Sequence, residues 1–460
     1  MARTGSAGVE GIPIVDGIAS YFKFAERGTT LGTEVRAGIT TFMVMVYIVA
    51  LNGIIIAAPL GLDPVAVAAG TALVAGVMTI AMGVLTNYPF ALAAGLGLNA
   101  AVAYGLTALG MSPAQAMGVV VIEGVVITIL VMVGLREAIM NAIPLSLKRA
   151  IGVGIGLFIL FIGFWDGKML TGVPAPFDPM DFIFPTTNPQ WVFLIGLAIT
   201  AALWARKVKG ALIISIAVTT VIAIVLGVQK LPETFTVTPN FGTLGLGLRD
   251  LGGVFTIEAG VIAAVLAIFT IMISDFFDTM GTVTGVAAEA GLAEKDGSVP
   301  GIGRVLLVDG LAAAVGGAAG VSSNTTYIES AAGVADGGRT GMTSVVTGAL
   351  FLVAIIAAPI VQIIPLEAAA PALVLVGYLM FTQIGEIDAR DVTTGFPALL
   401  IMILMPLTFT IYIGIGAGVV AWVFLMIVAR RLGEVHWLMW VVFAAFLVFF
   451  AQEVLKPLLA

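Results

Sequence analysis

Apolar runs long enough to cross a bilayer recur along almost the whole chain. They lie at 37–58, 66–86, 90–105, 113–134, 148–165, 191–207, 211–228, 258–280, 304–320, 323–336, 341–363, 369–384, 396–410 and 412–430, with a further apolar segment at 435–455. The hydrocarbon core of a membrane takes about 20 apolar helical residues. Lipid offers no partner to an open backbone, so runs of this kind fold as helices, whereas a membrane barrel would show short alternating strands. Charged residues make up 10% of the chain and hydrophobic ones 60%, where soluble domains carry about 25% charged. The mean hydropathy is +1.14. The pattern predicts an all-α polytopic membrane protein with about fourteen transmembrane spans.

Other classes are argued against by what is missing. Cysteine is absent, so there is no thiol chemistry, and the single histidine, His436, leaves no histidine metal site. An intramembrane enzyme would need a nucleophile–base pair or metal ligands. The first 30 residues read as polar, without a secretory signal, and a short amphipathic piece at 18–24 reads as an interfacial helix. Orientation follows from lysine and arginine. With the N-terminus in the cytoplasm and alternating spans, all basic residues fall inside except Lys168, Lys230 and Arg249, with Lys456 undecided.

The chain also repeats itself. Ile143-Pro144 precedes span 5 and Ile364-Pro365 precedes span 12, so a proline opens the fifth span of each half. Seven is odd, so seven spans per half predict a 7+7 inverted repeat, a common build of secondary transporters. In such folds the site lies in paired, glycine-interrupted spans. Spans 3 and 10, the third of each half, fit. Span 3 holds Gly95 and Gly97, each weakening a helix by about 1 kcal/mol. Span 10 holds the polar run Ser322, Ser323, Asn324, Thr325 and Thr326, tolerable at membrane depth only beside protein or a cavity. Both broken spans are expected to contain short extended segments followed by short helices, whose N-termini would offer free N–H groups.

Span 8 ends in SDFFDTMGTVTG at 274–285. Asp275, Asp278, Thr279 and Thr282 fall at i, i+3, i+4 and i+7, one helix face. They read either as a solvated helix end or as a polar stripe lining a substrate site. Glu329 completes Thr326-Tyr327-Ile328-Glu329, which fits a capping box, or it faces a ligand from a broken span. Asn99 is a helix-start signal or a ligand donor and acceptor. For Glu123 and Asp309 a structural hydrogen bond to polar backbone of the broken spans is expected. Phe276 reads as lipid- or core-facing, with stacking on a planar ligand as the alternative. Gly337-Gly338-Arg339-Thr340-Gly341 lacks Gly-Lys-Ser/Thr and reads as a tight turn.

Four stretches, AGLGLNA at 94–100, SDFFDTMGTVTGVA at 274–287, TTYIESAAGVADGGRTGMT at 325–343 and MPLT at 405–408, resemble the azaguanine-type adenine/guanine/hypoxanthine permeases. These belong to the nucleobase–ascorbate (xanthine/uracil permease) superfamily. The resemblance runs from about Thr33 to Arg431. It implies a proton-coupled symporter that imports purine nucleobases across the cytoplasmic membrane, with the proton gradient in place of a cofactor. It further implies a cytoplasmic N-terminal segment (1–35), a core domain (36–135 and 258–363) and a gate domain (136–230 and 364–431). An extra apolar segment, 432–460, lies outside the shared fold. Asp275 and Glu329, with Asn99 contributing, fall at the family's substrate positions. Phe276, Thr279 and Thr326 are further substrate-binding candidates, and Asp275, Glu329 and Asp278 are candidates for the coupling proton. No metal, nucleic acid or enzymatic activity is expected, and a homodimer through the gate domain is the expected assembly. An anion transporter of the sulfate-permease-like fold and a uracil/xanthine-type permease are the alternatives. Gly152, Gly154 and Gly156 predict a smooth strip on the core-facing side of span 5.

Overall fold

The computed structural model describes residues 13–134, 144–171, 181–231, 238–294, 299–408 and 411–459. Arg3, Arg136 and Lys295, used above for orientation, lie outside the described residues. Two short helices, α1 (Pro13–Tyr21) and α2 (Phe24–Arg27), precede a first span built from α3 (Leu31–Met45), α4 (Tyr47–Ile55) and α5 (Ala57–Leu60). Next come α6 (Pro64–Thr86), β1 (Leu92–Ala94) and α7 (Leu96–Ala100), the last running on as a π-helical turn over Ala101–Leu106. The first half continues with α8 (Pro113–Met132), α9 (Leu145–Asp166), the small ladder β2 (Leu170–Thr171) and β3 (Asp181–Phe182), α10 (Asn188–Ala205) and α11 (Ala211–Val225). The second half holds α12 (Val261–Glu289), α13 (Ile302–Ala318), β4 (Asn324–Thr326), α14 (Ser330–Ala335), α15 (Gly341–Ala354), α16 (Leu366–Phe381), α17 (Val392–Thr408) and α18 (Ile411–Val428), followed by α19 (Trp437–Leu459).

Each apolar run read from the sequence thus contains helix. Among the described residues, nine helices are long and apolar enough to cross a membrane, and shorter apolar helices cover Leu96–Leu106, Ala211–Val225, Val392–Thr408 and Trp437–Ala451. Local chemistry sets the helix starts. Asp63 accepts the Val65 N–H at 3.0 Å and Pro64 occupies the first turn of α6, where its missing N–H costs nothing. Ser112 and Gln115 form a reciprocal capping box at α8, which Pro113 opens. Pro144 and Pro365 stand immediately before α9 and α16.

Glycine lets three helix pairs approach backbone to backbone. A Cβ on Gly341 would overlap the Gly83 carbonyl, which packs α15 on α6. A Cβ on Gly377 would lie 2.5 Å from the Gly156 carbonyl, which packs α16 on α9. On α8, Gly124 meets the backbone of Gly310 and Ala314 in α13. Dispersion over such close surfaces holds helices together in lipid, where no hydrophobic drive operates between them.

One sequence expectation changes here. The strip of Gly152, Gly154 and Gly156 does not face spans 1–4 or 8–11. Gly154 abuts Met405 and the Ile401 carbonyl of α17, Gly156 abuts Met380 and Gly377 of α16, and Gly152 faces Gln383 just beyond α16. The small residues serve packing of α9 on its own neighbours. The C-terminal apolar segment forms α19, seated on α18. Phe446 and Phe450 fill the space over Gly416, and Phe449 meets Tyr412 edge to face at 5.5 Å.

Candidate functional site

The two broken spans meet at β1 and β4. They pair antiparallel, with Leu92 opposite Thr326, Ala93 opposite Thr325 and Ala94 opposite Asn324. The Gly95 N–H donates to the Ser323 carbonyl and the Tyr327 N–H to the Ala91 carbonyl, each at 2.9 Å. All six strand residues are buried. Open strand edges at such depth would leave backbone groups unpaired, so the strands pair with each other while the Thr79 hydroxyl of α6 accepts the Leu92 N–H at 2.9 Å and donates to the Leu92 carbonyl at 3.0 Å. Gly95 is required here, because a Cβ would press on Thr325 at 2.8 Å. Ser322 adopts a φ of +76°, a left-handed conformation rare outside glycine, asparagine and aspartate.

Side chains from three helices anchor the crossing. Asp309 of α13 accepts the Thr326 N–H at 2.9 Å and the Thr326 hydroxyl at 2.7 Å on Oδ1, and the Thr279 hydroxyl at 2.7 Å on Oδ2. Thr279 also lies 2.6 Å from the Thr325 hydroxyl. Asp309 therefore makes the structural bond to broken-span backbone that its position predicts, and Thr279 and Thr326 are tied to it. Glu123 of α8 instead takes a side-chain donor, the Ser323 hydroxyl at 2.9 Å, and Asp275 Oδ2 lies 3.4 Å from that same hydroxyl. One hydroxyl proton serves one acceptor at a time. The outer oxygens, Glu123 Oε2 and Asp275 Oδ1, are buried without a hydrogen-bond partner among the described residues.

The stripe on α12 divides. Asp275, Thr279 and Thr282 are buried, whereas Asp278 is exposed. At 3.6 residues per turn, Asp278 is rotated by about 60° from Asp275, enough to leave the packed face. Phe276 is buried on the same helix. Asn99 lies within α7, whose cap is Gly95, so it is not the helix-start residue; it is fully buried, and both its amide atoms lack a partner. The amide of Asn324 and the hydroxyl of Ser322 are likewise buried and unsatisfied. Orphaned groups of this kind are rare in folded proteins and mark places where a further polar partner belongs. No ion pair among the described residues involves Glu123, Asp275 or Glu329.

The capping box around Glu329 does not form. Thr326 is in β4 and spends its donors on Asp309, while Glu329 itself occupies the cap position of α14 and makes no side-chain cap bond. Its Oε1 accepts the Tyr47 hydroxyl at 2.6 Å. Tyr47, 282 residues away, reads in sequence only as one more apolar core position. Ser323 and Asn324 were visible as members of a polar run, but nothing local distinguished them. The glycine-rich segment 337–341 is indeed a turn, with φ +102° at Gly337. Its anchor is Glu34 of α3, fully buried, which accepts the N–H groups of Arg339, Thr340 and Thr343 and the Thr343 hydroxyl.

Long apolar helices around a buried polar crossing define a multi-pass membrane protein. The chain belongs to the Permease family of xanthine/uracil type, whose profile matches residues 32–417. It is 35% identical over 445 residues to the guanine/hypoxanthine permease PbuG of Bacillus subtilis, covering 94% of this chain and 99% of that one. It is 36% identical over 433 residues to the adenine permease AdeQ of Escherichia coli, covering 93% of this chain and 95% of that one. In fold it is similar to the transmembrane domain of the bicarbonate transporter BicA from a cyanobacterium, with a TM-score of 0.62 at 14% identity, covering 84% of this chain and 97% of that one.

Proposed function

We propose that this permease is a proton-coupled symporter importing purine nucleobases, with Asp275, Glu329 and Asn99 reading the base. The observation that carries the reading is the set of buried, unsatisfied polar atoms beside the β1–β4 crossing: the Asn99 amide, the Asn324 amide and Asp275 Oδ1. A purine is flat and carries N–H donors beside ring-nitrogen acceptors. An amide offers one of each, and a carboxylate accepts two N–H groups side by side. The names of the relatives, guanine/hypoxanthine and adenine permeases, support the same substrate class.

Fourteen spans in a 7+7 inverted repeat are part of this proposal, with spans 1–4 and 8–11 as core and 5–7 and 12–14 as gate. In such a repeat, span 2 corresponds to span 9 and span 4 to span 11. The close pairs α6–α15 and α8–α13 are then equivalent contacts, and α9–α16 relates to itself. The antiparallel crossing of β1 and β4 supports the same relation. An anion carrier would favour a neutral or basic site, against the acids gathered here.

The test is uptake of labelled hypoxanthine into proteoliposomes, with adenine, guanine, xanthine, uracil and bicarbonate as competitors. Competition by the purines and collapse of accumulation by a protonophore are expected. Competition by uracil alone would move the chain to the pyrimidine type. Accumulation that follows a sodium gradient and ignores the protonophore would replace the coupling ion.

A further inference from the structure

We propose that Tyr47 is a positioning residue for Glu329, fixing one carboxylate oxygen so that the other meets the N–H edge of the base. This rests on the reading of Glu329 as a substrate-binding residue. Tyr47 is 1% exposed, and its hydroxyl lies 2.6 Å from Glu329 Oε1. That is the length of a charge-assisted O–H···O bond. Oε2 carries no side-chain hydrogen bond among the described residues. The terminal torsion of a glutamate has a broad, roughly two-fold preference, so an unheld carboxylate points its oxygens in many directions. A donor on Oε1 removes that freedom.

The fold supplies a rigid mount for this donor. Tyr47 opens α4, one residue after α3 ends at Met45 within the continuous first span Leu31–Leu60, and α4 contacts β1. Its phenol is reached through only two side-chain torsions. Glu329's own backbone is pinned from the opposite direction. Two residues earlier, the Tyr327 N–H donates to Ala91 and its hydroxyl donates to the Ala94 carbonyl, clamping the segment to β1. Tyr327 thus fixes where Glu329 starts and Tyr47 fixes where its carboxylate ends. The side chain caps no N–H of α14, and the backbone group that reaches the carboxylate is Glu329's own N–H.

The test compares Tyr47→Phe, Glu329→Gln, Glu329→Asp and the double variant Y47F/E329D, all full-length. Hypoxanthine and guanine binding is measured in detergent, uptake in proteoliposomes, and thermal unfolding without ligand. Y47F is expected to raise Kd and KM by roughly tenfold or more, the effect of one hydrogen bond to a charged group, with Vmax within about twofold and only a modest fall in the ligand-free Tm. In E329D the shortened carboxylate no longer reaches Tyr47, so adding Y47F should change Kd by less than about twofold. Y47F with wild-type Kd, beside an E329Q that has lost binding, overturns the positioning role and leaves Glu329 in place. E329Q with wild-type Kd removes Glu329 from the site and this inference with it. Equal effects of Y47F on Kd in the wild-type and E329D backgrounds would make Tyr47 a packing residue only.

Discussion

Two aspartates three residues apart on α12 meet different fates. Asp275 is fully buried, shares the Ser323 hydroxyl with Glu123 and keeps one oxygen unsatisfied; Asp278 is exposed. Asp275→Asn is expected to lower hypoxanthine uptake by roughly tenfold or more, since it removes an acceptor and adds a buried donor. Asp278→Asn should stay within about threefold of wild type, because the group is turned out of the packed face that holds Asp275, Thr279 and Thr282. Equal losses in initial uptake rates would place the site one turn nearer the exposed end of the stripe. Glu34 is a separate case, bonded to the turn before α15. It gathers three N–H groups and a hydroxyl at the turn before α15, so Glu34→Gln turns a fourfold acceptor into a half-donor. The expected cost is about 1.5–3 kcal/mol, read as a lower Tm in detergent with substrate affinity retained in the folded fraction.

At the scale of elements, glycine sets how closely the helices pack. The glycines of α9 lie against α16 and α17, with Met405 Sδ at 2.6 Å from a Cβ built on Gly154. Gly154→Leu is therefore expected to overpack this interface and destabilise the protein by about 1–3 kcal/mol, lowering Tm and folded yield. A stable variant that binds purine and fails only in uptake would return this strip to a moving surface. The broken spans behave as one unit, since β1 pairs with β4, Thr79 of α6 holds the Leu92 N–H and carbonyl, and Asp309 ties β4 to α12 and α13. Thr326→Val deletes one donor to Asp309 while the backbone N–H remains, and a loss of about 1 kcal/mol is expected in thermal unfolding.

For the whole molecule, alternating access in the proposed core–gate arrangement requires the crossing to travel intact, because its polar backbone is satisfied only within it. The contact to follow is Gly97 of α7, whose Cβ would sit 2.7 Å from Ile155 and 3.9 Å from Ile159 on α9. This is where a broken span touches the gate. Gly97→Val should slow uptake severalfold while purine binding in detergent persists, because isoleucine side chains give way in one state but obstruct passage between states. Full uptake in the proteoliposome assay would move the sliding surface away from α7 and α9.

The succession of apolar runs determined the helical membrane class by itself, because backbone groups in lipid have no other general solution. Local signals were equally legible: Pro144 and Pro365 at helix starts, and the polar and glycine breaks that became β4 and β1. Asn99, Asp275 and Glu329 stood out as polar groups at membrane depth. What each touches was decided only in three dimensions. Capping is a local pattern, so Thr326 and Glu329 read as partners, yet Asp309 and Tyr47 took them instead. The glycine strip of α9 has a periodicity but no direction until α16 and α17 pack on it. Hydrogen bonds spanning hundreds of residues, such as Tyr47 to Glu329 and Glu34 to Thr343, follow from how helices are brought together, and no spacing along the chain encodes them.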